Sequence, residues 1–149
     1  MKLLAAALAA ASLATLAPAA QAQGLGSPVI LPGVRYQVLA SGPANGRHPT
    51  RADTVEIRYV GRLLTSEIFS TSDDHGRRPS PFKVGEVIPG MSAALQLMRP
   101  GDRWRVIIPA YLGYGATGRA YRPPVEHLIR DVPPDATLVF DVELVSIRP

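Results

Sequence analysis

Gly113, Gly115 and Gly118 fit the spacing G-x-G-x-x-G, which cradles a pyrophosphate where a strand hands over to the amino end of a helix. That chemistry needs the helix, and Pro123-Pro124 stops any helix beginning here, with no strand-helix-strand unit after it. The glycines are expected instead to let the chain turn with positive φ around Tyr114. Ser72, Asp73, Asp74 and His75 hold the letters of a hydrolase triad. Adjacent residues in a polar loop do not converge as nucleophile, base and orienter must, so a solvated loop is expected there. His48, His75 and His127 are too dispersed for a metal site, and no cysteine can supply a thiolate. Neither a metal nor a cofactor is expected.

What is left is apolar and aromatic: Tyr59, Phe69, Phe82, Val87, Ile88, Met91, Tyr114, Val132 and Phe140. Taken singly, each is more readily a core residue than a ligand contact. Tyr114 sits in a glycine-rich loop and Ile88 precedes a Pro-Gly break at a helix entrance, so both belong at a rim rather than a centre. From Gly113 to Leu144, a glycine-pinned tyrosine, the double-proline turn after Val132 and a strand carrying Phe140 are together able to build one wall of a hydrophobic pocket.

Those side chains need elements to aim them. Val34, Tyr36 and Val38 alternate with Arg35 and Gln37, the period of a half-buried strand, and Gly42 to Thr50 is a turn. Thr54 to Leu64 is the cleanest strand, with Val55, Ile57, Tyr59, Gly61 and Leu63 on the core face. Ile68-Phe69 starts a short strand, Ser70 to Ser80 is a polar loop, and Pro81 to Val84 is extended again. Met91, Ala94, Leu95 and Met98 form one narrow apolar stripe, predicting a helix of about two turns ended by Pro100-Gly101. Trp104, Val106 and Ile108 share a face of the next strand, and Leu138, Phe140, Val142 and Leu144 face inward from the last. The sum is an α+β fold, an antiparallel sheet with one short helix across it.

Met1-Lys2, the Ala- and Leu-rich run Leu3 to Leu16 and Ala20-Gln21-Ala22 read as a signal peptide, residues 1–22, with cleavage expected after Ala22. The apolar run is shorter than the roughly 20 residues that span a bilayer, so no stable membrane insertion is expected after cleavage. Residues 23–32, rich in Gly and Pro, read as a flexible linker, and 33–149 as one domain with one core. An exported chain without cysteine holds its fold without disulfides, and the expected destination is the periplasm of a Gram-negative bacterium. The net charge of +4 rests on basic residues scattered singly or in pairs, not on a stripe with interleaved aromatics, so no nucleic-acid partner is expected. Neither a heptad nor room for a long amino-terminal helix argues for a dimer, and a monomer is expected.

From Gly33 to Ile147 the chain resembles the FKBP-type peptidyl-prolyl cis-trans isomerases of bacteria. The likeness rests on Tyr59-Val60-Gly61, Phe69, Pro81-Phe82, Val87-Ile88-Pro89-Gly90, Leu95-Gln96-Leu97-Met98, Ile108-Pro109, Tyr114-Gly115 and the run from Pro133 to Leu144. The resemblance implies a twisted five- or six-stranded antiparallel sheet wrapped around one short helix, with the site between them. It implies that Tyr59, Phe69, Phe82, Val87, Ile88, Tyr114 and Phe140 occupy pocket positions, that Met91 is the pocket floor, and that Val132 is on the covering loop. Proline-containing unfolded or flexible polypeptides are the implied partners, and macrolide-type molecules the implied inhibitors.

The implied activity needs no acid, base or cofactor. Rotation about a peptide bond costs roughly 18–20 kcal/mol because planar resonance is lost, while the two X-Pro isomers differ by about 1 kcal/mol or less. A pocket that takes water from the amide disfavours the charge-separated planar form, and donors hold the rotated carbonyl. The Ile88 N–H and the Tyr114 hydroxyl are the expected donors. Two departures bear on rate: Ser70 stands where the family usually has Asp, and Met91 where it usually has Trp. A third is an insertion, Ala120 to Arg130, which lengthens the loop beside the pocket mouth and is open to three readings: gripping unfolded chain, tuning which residue precedes the substrate proline, or simply covering the site. The alternative reading is a low-activity proline-segment binding module or chaperone using the same pocket.

Overall fold

A computed structural model describes residues 29–30, 33–123 and 127–149. The expected signal segment and most of the expected linker lie outside them. A two-residue strand, β1 (Val29–Ile30), precedes six longer ones: β2 (Arg35–Ala40), β3 (Thr54–Leu63), β4 (Ile68–Thr71), β5 (Ser80–Lys83), β6 (Arg103–Ile108) and β7 (Leu138–Arg148). All pair antiparallel in one sheet ordered β1-β2-β6-β7-β3-β4, with β5 also on β3. The sheet therefore begins before Gly33, because Val29 and Ile30 pair with Tyr36 and Arg35.

The two-residue period is kept where it matters. Along β3 every second residue from Val55 to Leu63 is buried, and β7 buries Leu138, Phe140, Val142 and Leu144. β3 lies between β7 on one edge and, on the other, β5 against its first half and β4 against its second. The outer face gathers arginines that the sequence scatters: Arg58, Arg62 and Arg105 reach Glu143 and Asp141 of β7 at 3.0, 3.3 and 2.7 Å.

Two short elements depart from expectation. The helix α2 (Pro89–Leu95) buries the whole stripe of Met91, Ala94, Leu95 and Met98, but it ends at Leu95 and Met98 lies beyond it. Leu97 and Met98 N–H groups donate to Ala94 and Leu95 carbonyls in a tight turn, and the Asp102 carboxylate then takes the N–H groups of Arg99 and Gly42, both at 2.7 Å. Pro89 is the first residue of α2, so Pro89-Gly90 opens the helix rather than breaking the chain before it.

The expected solvated loop from Ser70 is buried at its start. β4 runs to Thr71, and Ser70, Thr71, Ser72 and Ser80 are all buried. The serine hydroxyls make this tolerable: Ser72 Oγ accepts the Tyr59 N–H at 3.1 Å and Ser80 Oγ accepts the Asp73 N–H at 2.9 Å. Ser72 is thus a backbone clamp and not a nucleophile. The turn α1 (Asp73–Gly76) follows, with Asp74 and His75 at φ of 52° and 54°.

Candidate functional site

The sheet side of a cleft of about 250 Å³ is built from neighbouring strands. β3 supplies Ile57 and Tyr59, β5 supplies Phe82 and β7 supplies Phe140. The Tyr59 ring meets Phe82 edge-on at 5.7 Å and Phe140 tilted at 5.8 Å. Phe69 does not line the cleft. In the β3–β4 register Gly61 faces Ser70 and Arg62 faces Ile68, so Phe69 is an extra, bulged residue. It is fully buried behind Phe140, edge-on at 5.5 Å. Gly61 makes room for this pair: a Cβ there would lie 2.7 Å from Phe140 Cε1 and 3.0 Å from Phe69 Cζ.

Met91, buried in the first turn of α2, closes the bottom, and Val87 and Ile88 form the near rim. Ile88 is the N-cap of α2, so its N–H has no use within the helix.

The opposite rim is loop. Tyr114 precedes the 3-10 turn Gly115–Thr117 and is half-buried, and burial raises its phenol pKa against a smaller opposing effect of Arg119. The Arg119 guanidinium carbon lies 5.8 Å from the Tyr114 ring centre. Arg119 and Val132 exchange backbone hydrogen bonds of 2.9 and 2.8 Å. Val132 is buried and does not line the cleft; it holds the loop that does. Of the three glycines expected to turn the chain, Gly115 and Gly118 have φ of 64° and 63°, whereas Gly113 is at −116°. At Gly118 a Cβ would meet the Val132 carbonyl oxygen at 2.3 Å, so no side chain fits.

Ser70 joins the two sides. Its hydroxyl donates to the His127 carbonyl at 2.6 Å, and since it has one proton, the Tyr59 hydroxyl at 2.8 Å is the donor to it. Burial pushes the Tyr59 phenol up to about 12. The returning part of the lengthened loop then lies along β4: Thr71 N–H donates to the His127 carbonyl at 3.0 Å, Ile129 N–H to the Phe69 carbonyl at 2.8 Å, and Leu128 faces Ser70 in an antiparallel bridge. This places Leu128 and the His127 ring in the cleft, the latter 5.0 Å from the Phe82 ring.

Of the ten residues expected at the site, Tyr59, Ser70, Phe82, Val87, Ile88, Met91, Tyr114 and Phe140 come together around one space, while Phe69 and Val132 support it from behind. Ile57, Glu86, Arg119, His127 and Leu128 also line it. Ile57 was accessible to alternation, two residues before Tyr59 on the same face. His127 and Leu128 carry no periodic signal, since backbone hydrogen bonds to β4, distant in sequence, seat them.

Residues 45–145 match the family described as FKBP-type peptidyl-prolyl cis-trans isomerase. The chain is 42% identical over 116 residues to a macrophage infectivity potentiator of Trypanosoma cruzi, covering 78% of this chain and 54% of that protein. It is 36% identical over 121 residues to an outer membrane protein MIP of Legionella longbeachae, covering 80% and 47%. A crystal structure of a peptidyl-prolyl cis-trans isomerase from Pseudomonas syringae pv. tomato str. DC3000 superposes with a TM-score of 0.66 at 32% identity, covering 85% of this chain and 83% of that one. The chain spans about half the length of the curated relatives it matches.

Proposed function

This chain belongs to the FKBP-type peptidyl-prolyl cis-trans isomerase family, and from that premise we propose that it accelerates X-Pro isomerisation during the folding of exported proteins. The observation that carries the reading is the apolar aromatic cleft with two donors on opposite rims, the Ile88 N–H and the Tyr114 hydroxyl. Among the described residues neither donor finds an acceptor in the protein. The proline ring enters between Tyr59, Phe82 and Phe140 over Met91, and water leaves the amide. The planar amide, which owes its stability to charge-separated resonance, is destabilised there, so the gap to the twisted amide narrows, and the rim donors take the rotated carbonyl.

The proposal includes export: cleavage after Ala22, a short linker ending before Val29, and a monomeric domain from 29 to 149 resident in the periplasm and open to macrolide-type inhibitors. Supporting it are the signal-like amino terminus and a relative named as an outer membrane protein. Among the described residues no helix is long and apolar enough to cross a membrane.

A proline-limited refolding assay tests the central claim. The wild-type protein is expected to accelerate the slow phase, otherwise tens of seconds long. Tyr114→Phe is expected to lose roughly two- to tenfold, the value of one hydrogen bond. No acceleration by the wild type overturns the reading.

One observation favours the second reading, a proline-segment binding module. Ser70, uncharged, commits its hydroxyl to the Tyr59 hydroxyl and the His127 carbonyl. If Ser70→Asp with Met91→Trp raises the rate greatly with little change in peptide affinity, the binding module is the better description.

A further inference from the structure

The cleft carries three charged or chargeable side chains at its mouth besides its tyrosines: Glu86, Arg119 and His127. Two already face an opposite group, Glu86 with Lys83 at 3.5 Å and His127 Nδ1 with Asp73 at 3.7 Å. For Arg119, no carboxylate pairs with it among the described residues, and its guanidinium rests against Tyr114. Its backbone is fixed by the paired hydrogen bonds to Val132, and Gly118 before it is held at φ 63°. Arg119 thus has a fixed backbone beside Tyr114 and an exposed guanidinium set against that ring.

The position of Tyr114 says what that cation meets. If its hydroxyl holds the rotated carbonyl, that carbonyl belongs to the residue before the proline, whose Cβ is two bonds from the carbonyl carbon. The side chain of that residue then emerges at the Tyr114 end of the cleft, within reach of Arg119. We infer that Arg119 is a specificity-determining residue, selecting substrates with an acidic residue immediately before the proline by pairing its guanidinium with that carboxylate. The inference rests on the isomerase reading of the cleft. A guanidinium presents paired N–H donors that match a carboxylate. Because Arg119 is exposed, the preference is modest, about two- to fivefold, the worth of a solvent-exposed ion pair.

The test uses the full chain and four peptides Ala-Xaa-Pro-Phe with Xaa as Glu, Gln, Leu or Lys. Turnover is read by NMR exchange, which avoids a protease with preferences of its own, and affinity by titration of the same peptides. The Glu-to-Gln ratio of kcat/KM is expected at about two to five in low salt. It should fall to near one at about 1 M salt, where the screening length is about 3 Å. Arg119→Gln should bring the ratio to near one at low salt, and Arg119→Lys should keep part of it. A ratio unmoved by Arg119→Gln, or indifferent to salt, overturns the inference. Failure of the isomerase reading looks different: the wild type would not turn over Ala-Leu-Pro-Phe, and the Glu-to-Gln ratio of affinities would then decide the role of Arg119 alone.

Discussion

The two sides of the cleft are made in different ways. On the sheet side, Ile57, Tyr59 and Phe140 project from paired strands whose ladder fixes each Cα, and Phe69 backs them from a bulge. On the loop side, Tyr114, Arg119 and Leu128 are held by a few separate hydrogen bonds: Arg119 with Val132, Ile129 to Phe69, and Ser70 and Thr71 to the His127 carbonyl. The sheet side is thus part of the core and shares its stability. The loop side is fastened to it at discrete points, and damage there should alter the cleft before it alters the fold.

The sharpest way to break this contrast is Phe140→Ala, which removes a buried ring that touches both Tyr59 and Phe69. We expect a loss of about 3–5 kcal/mol in denaturant unfolding, together with loss of turnover. A loss near that of a surface change would mean that the sheet side is not core.

The alkaline limb of stability gives the next largest effect. Tyr59 has its folded pKa raised to about 12, above the ordinary value of about 10. Its contribution is fully present below pH 10 and is lost as pH rises through about 12, because the unfolded chain gives up the proton first. The loss is of the order of 3 kcal/mol, and Tyr59→Phe should remove it from the pH dependence of unfolding.

On the loop side, Gly118→Ala forces a Cβ toward the Val132 carbonyl at a backbone conformation that side chains resist. We expect a cost of up to about 3 kcal/mol if the loop stays seated. If it lifts instead, the cost is smaller, with fast hydrogen exchange at the Arg119 and Val132 amides, reduced turnover and unchanged exchange in β3 and β7. Faster exchange in those strands as well would erase the contrast.

Ser70→Ala, at the junction, leaves the buried Tyr59 hydroxyl without its acceptor. We expect a loss of about 1–2 kcal/mol, with faster exchange at Ile129, read by the same two measurements.

The same contrast explains what was legible in the sequence. Alternation gave every buried residue of β3 and β7, because a strand between two partners has one core face and the pattern admits no other register. The stripe from Met91 to Met98 was correct as burial but overran the helix, since apolar spacing does not register the Asp102 carboxylate that turns the chain. Ser70, Thr71 and Ser72 read as solvent-facing because their type is polar; only the three-dimensional partners of the Ser70 and Ser72 hydroxyls and of the Thr71 N–H make their burial tolerable. Phe69 fell behind the wall through a one-residue bulge that no periodicity announces. His127 and Leu128 depend on bonds to residues far away in sequence, which a reading along the chain cannot supply.

The fastening of the lengthened loop along β4 has one more consequence. β4 is the last strand on its side of the sheet, and a bare strand edge is a template onto which any extended polypeptide can add itself. Here the Phe69 carbonyl and the Thr71 N–H are already taken by the chain's own Ile129 and His127. An unfolded segment approaching from this side cannot extend the sheet through those two groups and meets side chains instead, so the loop acts as a guard against aggregation as well as a wall.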